Sequence, residues 1–243
     1  MTQTIGNTTF LLLGIAILLF LGACTRTHTQ VGLDSAVKIF SDNPQNPIFG
    51  QNSDWTRLGS SRSVNIKSVY KGAIPVLQIS SAYANAAFLR RVDAQLLATP
   101  FLFWSWSVID GPPIHPVRLI IGFSDTGQSN DRIDDNRTVF SSQKLPAFSR
   151  TLTLVWGASA LKRGTLTIKP NQKGQKPGAR YIVRGGRENQ HRWWNESLDL
   201  SHLHSLAWPL VDMSQSRIVF TGISTAGGAV PGTMQIAQIK LSR

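Results

Sequence analysis

Glu188 and Glu196 are the only glutamates in the chain, and with eleven aspartates they are its whole stock of carboxylates. Glycoside hydrolysis needs two such groups roughly 5–10 Å apart, one to protonate the leaving oxygen and one to activate water or attack. Glu196 and Asp199 can meet across a turn, and Asp93 or Asp110 can approach from another strand, although nothing in the spacing demands a pair. Asp199-Leu-Ser-His202-Leu-His204 offers a second chemistry. On an extended segment His202 and His204 share a face, and with one carboxylate they suit Zn²⁺ or Fe²⁺. On a helix they diverge, and the run just before Trp208-Pro209 could be a helical turn. Asp131-Arg-Ile-Asp134-Asp135-Asn136 is rich in oxygen ligands but lacks the glycine and terminal glutamate of an EF-hand loop, so it reads as a polar turn. No serine sits in a Gly-x-Ser-x-Gly elbow, and there is no phosphate-loop or dinucleotide fingerprint. No catalytic residue, metal or cofactor is therefore assigned from the sequence.

The charge is more specific. Over 243 residues, 25 Lys and Arg against 13 Asp and Glu give a net +12. Lys162–Arg192 holds nine of the basic residues and one acid, Glu188, for a net +8 in a single stretch. It reads as strand, loop, strand: Leu166–Lys169, then Pro170-Asn-Gln-Lys-Gly-Gln-Lys-Pro-Gly178, then Arg180–Arg184. Lys173 and Lys176 would crown the loop, with Lys169, Arg180 and Arg184 flanking it. Such a surface fits phosphorylated lipopolysaccharide core, anionic phospholipid or an acidic polysaccharide, at about 1 kcal/mol per charge near an anionic membrane. The alternative is a solvated hairpin kept soluble by lysines. Trp193-Trp194 follows at once. Adjacent strand residues point to opposite faces, so one indole would be core and the other a stacking platform for a ligand.

Compartment comes from the N-terminal region. Phe10–Ala23 is apolar or small and carries no charge, shorter than the roughly 20 residues that span a bilayer and suited to a signal-peptide core. It ends Leu21-Gly22-Ala23-Cys24, at the only cysteine of the chain. That order looks like a bacterial lipobox: small residues admit the peptidase, and the Cys24 thiol takes the lipid. Met1–Thr9 has no Lys or Arg, a departure from the usual positive leader. Residues 1–23 are thus expected as a lipoprotein signal peptide. Thr25, in place of the aspartate that often holds Gram-negative lipoproteins in the inner membrane, favours the outer membrane, facing the periplasm. The expected partner is the membrane, through the Cys24 anchor, and not nucleic acid, because export removes the chain from the cytoplasm. The single cysteine excludes a disulfide framework.

Residues 24–53 are polar around Asp42-Asn-Pro-Gln-Asn-Pro47 and read as a tether or loosely docked arm. Residues 54–243 read as one domain. Its candidate strands are Val76–Ser81, Phe101–Ile109, Val117–Phe123, Leu152–Trp156, Thr165–Lys169, Arg180–Arg184, Trp193–Leu198, Arg217–Ser224 and Met234–Leu241. Phe101–Ile109 is apolar and aromatic apart from Ser105 and Ser107, as expected of a central strand covered on both faces. Met234 and Ile236, then Ile239 and Leu241 after a break at Ala237, share one face. Only Asn85–Leu97 and Leu198–Trp208 could hold a helical turn or two. With no βαβ rhythm, this predicts an all-β, jelly-roll-like β-sandwich of about nine or more strands.

The order of motifs resembles a family of bacterial exported proteins, domain of unknown function 3047. The pieces are Leu102-Phe-Trp-Ser-Trp-Ser-Val108, Pro116-Val-Arg-Leu-Ile-Ile-Gly-Phe123, Leu152-Thr-Leu-Val-Trp-Gly157, Gly164-Thr-Leu-Thr-Ile-Lys-Pro-Asn171, Tyr181-Ile-Val-Arg-Gly-Gly186, Trp194-Asn-Glu-Ser-Leu-Asp199 and the closing Ile236–Leu241. The resemblance covers residues 55–241. It implies a jelly roll similar to carbohydrate-binding modules and no established activity. Where relatives place acidic residues, this chain has Gly111-Pro-Pro-Ile-His-Pro116 and Ser224-Thr-Ala-Gly-Gly-Ala229. Glu196 and Asp199 remain, and with Arg118 they could form a buried ion pair rather than a site. The leading expectation is a non-catalytic envelope lipoprotein that binds an anionic glycan or lipid through Lys169, Lys173, Lys176, Arg180, Arg184 and Trp193 or Trp194. The alternatives are a carbohydrate-active hydrolase using Glu196 with Asp199 or Asp110, and a structural subunit of an envelope assembly.

Overall fold

Period-two alternation of apolar and polar residues governs nearly every segment and dictates two sheets packed face to face. A computed structural model describes residues 36–40, 55–60, 64–81, 85–125, 145–169, 177–227 and 230–243. They form a jelly-roll-like β-sandwich of thirteen strands: β1 (Ala36–Lys38), β2 (Trp55–Gly59), β3 (Val64–Lys71), β4 (Ile74–Ser81), β5 (Ala86–Gln95), β6 (Phe101–Asp110), β7 (Val117–Asp125), β8 (Arg150–Gly157), β9 (Leu166–Lys169), β10 (Gly178–Gly185), β11 (Trp194–Asp199), β12 (Ser216–Thr225) and β13 (Gly232–Ser242). The six-stranded sheet runs β11-β6-β13-β4-β3, with β1 on the far end of β13. The seven-stranded sheet runs β2-β5-β12-β7-β8-β10-β9. The β8–β10 pair is parallel, and the other described pairings are antiparallel.

Inward-facing residues of both sheets meet in one core. Its centre is a chain of edge-on indoles, Trp104 to Trp106 at 5.4 Å and Trp106 to Trp156 at 5.8 Å between centroids. Such contacts place the positive ring edge on the negative face of the next ring. A smaller apolar cluster lies on the outer face of the seven-stranded sheet, where Leu145 and Phe148 cover Leu58, Leu89, Ile120 and Phe220.

Three expectations need correction. Residues 85–97 are not helical: Ala86–Gln95 is β5, held between β2 and β12, because partners on both edges override the helix preference of its Ala, Leu and Arg. Phe101–Ile109 is not covered on both faces, since Leu102, Trp104, Trp106 and Val108 point inward while Phe101 is exposed and Phe103 half-buried. Ala36–Lys38, within the segment expected as a tether, is a strand with Ala36 and Val37 buried. Arg90 ties this arm down by donating through Nη1 to the carbonyls of Lys38 and Ile39, at 3.2 and 2.7 Å. The break expected near Ala237 is a bulge in β13, with Gln238 at φ 55°. It keeps Met234, Ile236, Ile239 and Leu241 all buried.

The Leu200–Ala207 segment is the one α-helix among the described residues, α1, and Asp199 caps it by accepting from the N–H groups of Ser201 and His202. Its inner face brings His204 into a buried polar network. Arg150 pairs with Asp125, and its Nη1 donates to His204 Nε2 at 3.1 Å. Ser216 donates to Asp125 Oδ1 at 3.0 Å. His115 is fixed in the loop before β7: its Nε2 donates to the Asp110 carbonyl and its Nδ1 accepts from Val117 N–H, both at 3.1 Å. Burial pushes both imidazoles down to about 4, aided at His204 by the Arg150 charge. Each therefore stays neutral in the fold through the range where an unfolded histidine takes up a proton. Stability is fully present above pH 6.5 and is lost as pH falls towards 4, by up to roughly 3 kcal/mol per histidine. Urea denaturation between pH 7 and pH 4.5 should show a falling midpoint; a flat midpoint across that window would mean that neither ring is held neutral.

Candidate anion-binding face

In a regular strand Arg180 and Arg184, four residues apart, would share a face. They do not. The β8–β10 register slips between Ile182 and Arg184, a bulge that turns the second arginine into the sandwich. Arg184 Nε donates to Glu196 Oε1 at 2.6 Å and Nη2 to Oε2 at 3.4 Å. Trp106 Nε1 donates to the same Oε1 at 3.2 Å, and Arg163 approaches Oε2 at 3.8 Å. The Arg184 guanidinium also stacks 3.7 Å from the centroid of Trp194, whose Nε1 donates to the Asn189 carbonyl at 2.9 Å. The Arg184 and Glu196 side chains are buried, so this is an internal ion pair. Arg184 and Trp194 are accordingly removed from the ligand-facing set. Arg118 is not the partner of Glu196 or Asp199 either, since Glu196 answers Arg184 and Asp199 caps α1. Burial works against the Asp199 charge, but the Ser201 hydroxyl and the His202 and Ser201 N–H groups hold its carboxyl below the usual range.

The outer face of the seven-stranded sheet carries the opposite situation. Register places Ile120, Thr153 and Arg180 in one row across β7, β8 and β10, and Arg118 two residues back along β7. Lys169 on β9 lies opposite Gly178, on the same face and exposed. Arg118 and Arg180 are half-buried, and the Nε of each is shut off from water with no hydrogen-bond partner. No carboxylate among the described residues reaches either one. Burial and the neighbouring Arg180 charge hold the Arg118 guanidinium below its ordinary pKa, yet arginine keeps its charge at any pH a protein meets. Two like charges thus stand near each other on a partly dry surface, each with an unpaired Nε donor, an arrangement that a bound anion would compensate.

Beside Arg118 is a shallow niche of about 230 Å³, walled by Pro112, Ile114, Pro116, Ala226, Gly227 and Val230. Trp193 is exposed after the Arg187–Asn189 turn. His202 and His204, which would share a face only on an extended segment, diverge on α1, with His202 exposed and His204 buried, and no cluster of three metal-ligating side chains exists among the described residues. Asp110 does not face Glu196: its Oδ1 accepts from Thr233 N–H at 2.7 Å, at the far end of β6. Cys24, Lys173, Lys176 and Asp131–Asn136 lie outside the described residues. Arg118 is the residue that sequence reasoning missed. Its signal was a lone charge inside the apolar run Val117-Arg-Leu-Ile-Ile-Gly-Phe123.

No family model matches the chain, and no curated protein does. Among solved structures it is similar to a family 11 carbohydrate-binding module from Clostridium thermocellum in complex with a mixed-linked tetrasaccharide, at 9% identity and a TM-score of 0.42 over 84% of this chain and 94% of that one. It is similar to Trichoderma harzianum endoglucanase 3 of family GH12, at 10% identity and 0.40 over 87% and 91%. It is also similar to the xyloglucanase domain of NopAA from Sinorhizobium fredii in complex with cellobiose, at 8% and 0.40 over 79% and 99%. No residue or ligand is carried over from these proteins, and the sandwich stands on its own strand pairing.

Opposite stability effects are expected at the two arginines. Arg184→Gln strands a buried carboxylate and should cost about 3–5 kcal/mol. Arg180→Gln relieves like-charge crowding and should leave the thermal midpoint unchanged or higher. A large loss at Arg180 would reveal a structural partner and remove it from the site.

Proposed function

We propose that this chain is a non-catalytic lipoprotein of the bacterial envelope whose sandwich holds an anionic glycan or lipid on the outer face of the seven-stranded sheet. The pair Arg118 and Arg180, which no carboxylate among the described residues reaches and whose Nε donors are unpaired there, carries the reading. Half-buried like charges with no counter-charge beside them are favourable places for an anion to supply one. Lys169 extends the positive row to the sheet edge, and the sequence continues it with Lys173 and Lys176. The order Leu21-Gly22-Ala23-Cys24 supports acylation at Cys24, which would keep this face close to the envelope. The hydrolase alternative has less in its favour. Glu196 is committed to Arg184 and Trp106, Asp199 to the start of α1, and Asp110 to Thr233.

The test is co-sedimentation of the chain from Thr25 onward with lipopolysaccharide, peptidoglycan and anionic vesicles, each titrated with salt. Saturable binding to one of them is expected, weakening as salt rises. The double variant Arg118→Gln, Arg180→Gln should bind at least about tenfold more weakly, the loss of one or two charged hydrogen bonds. Binding to none of the three, or equal binding by the double variant, overturns the reading and leaves the charge as a solubility feature.

A further inference from the structure

We infer that the Arg118 end of this face takes an anionic lipid, with its phosphate or carboxylate between Arg118 and Arg180 and the first stretch of an acyl chain in the adjoining niche. The inference rests on the anion-binding reading above and selects between its two ligand classes.

The chemistry of the niche walls makes the selection. Apart from Arg118 they are Pro112, Ile114, Pro116, Ala226, Gly227 and Val230, without a side-chain hydroxyl, amide or carboxylate. Several of the backbone donors there are absent or already engaged. The two prolines have none, Ala226 N–H donates to the Pro116 carbonyl at 3.0 Å, and Gly227 N–H donates to Asn85 Oδ1 at 2.8 Å. A sugar ring seated in this niche would press its hydroxyls against walls whose side chains offer no polar partner, and poorly paired buried polar groups are penalised. An alkyl chain asks for no partners. Ile114 and Val230 meanwhile stand 47% and 53% exposed beside a guanidinium, apolar surface that a tail would cover while its head answered the charge.

The experiment is calorimetric titration of the full chain with octyl phosphate, inorganic phosphate, glucose 6-phosphate and octyl glucoside, all below micelle-forming concentration. Octyl phosphate is expected to bind at least tenfold tighter than inorganic phosphate, which is what burial of about two methylenes supplies. It should also bind tighter than the neutral octyl glucoside or the sugar phosphate. Arg118→Gln should weaken octyl phosphate and inorganic phosphate alike, and Ile114→Asp should remove the advantage of octyl phosphate over inorganic phosphate. Glucose 6-phosphate binding as tightly as octyl phosphate overturns the lipid assignment and leaves the anion site standing. Octyl glucoside matching octyl phosphate, or an undiminished tail gain in Ile114→Asp, also overturns it. Failure of every anion to bind removes the anion site itself.

Discussion

The ion pair between Arg184 and Glu196 is the constraint on which the rest of the sandwich depends. Its two members belong to different sheets, β10 in one and β11 in the other, so it crosses the core rather than decorating a surface. Trp106 donates to the carboxylate and Trp194 covers the guanidinium, which compensates the desolvation that makes buried charges costly. The edge-on run from Trp104 through Trp106 to Trp156 then packs around a fixed polar point. With long indoles in its centre, a core of this kind has several ways to fill space, and a single directional contact selects among them.

The β10 bulge sets two fates for two arginines of one strand. Without it Arg184 would face the same side as Arg180, Glu196 would be stranded in the core, and the positive face would carry one more charge. With it, one arginine stabilises the fold and the other is left, beside Arg118, with donors unused. One arginine is thereby committed to the core and the other, four positions away, is left to the outer face. The satellite cluster under Leu145 and Phe148 closes one part of the same outer face, while the end near Pro112 and Ala226 and the Lys169 edge are uncovered among the described residues.

Much of the architecture was legible because alternation is a strong signal where one face is buried. All nine expected strands exist, and the break in β13 could be read from the phase change between Ile236 and Ile239. The failures have physical causes. Ala86-Ala-Phe-Leu-Arg-Arg looks helical in isolation and is a strand because two neighbouring strands claim its backbone. Ala36–Lys38 is too short to announce itself and exists because β13 offers an edge and Arg90 holds the following carbonyls. A bulge adds one residue to one strand and leaves no mark in composition, so the inward turn of Arg184 could not be seen, nor that Arg118 rather than Arg184 would stand with Arg180. His202 and His204 were readable as a facing pair only if extended, and the Asp199 cap decides for the helix.

β1 has a consequence beyond its three residues. β4 pairs with β13 only as far as Ile236, and from Lys240 to Ser242 the same edge is occupied by β1. If that arm lifted, β13 would present bare N–H and carbonyl groups flanked by Ile239 and Leu241, an adhesive edge ready to template a strand from another molecule. The short arm therefore caps an edge that would otherwise be open to intermolecular pairing, and the Arg90 contacts to Lys38 and Ile39 fasten that cap.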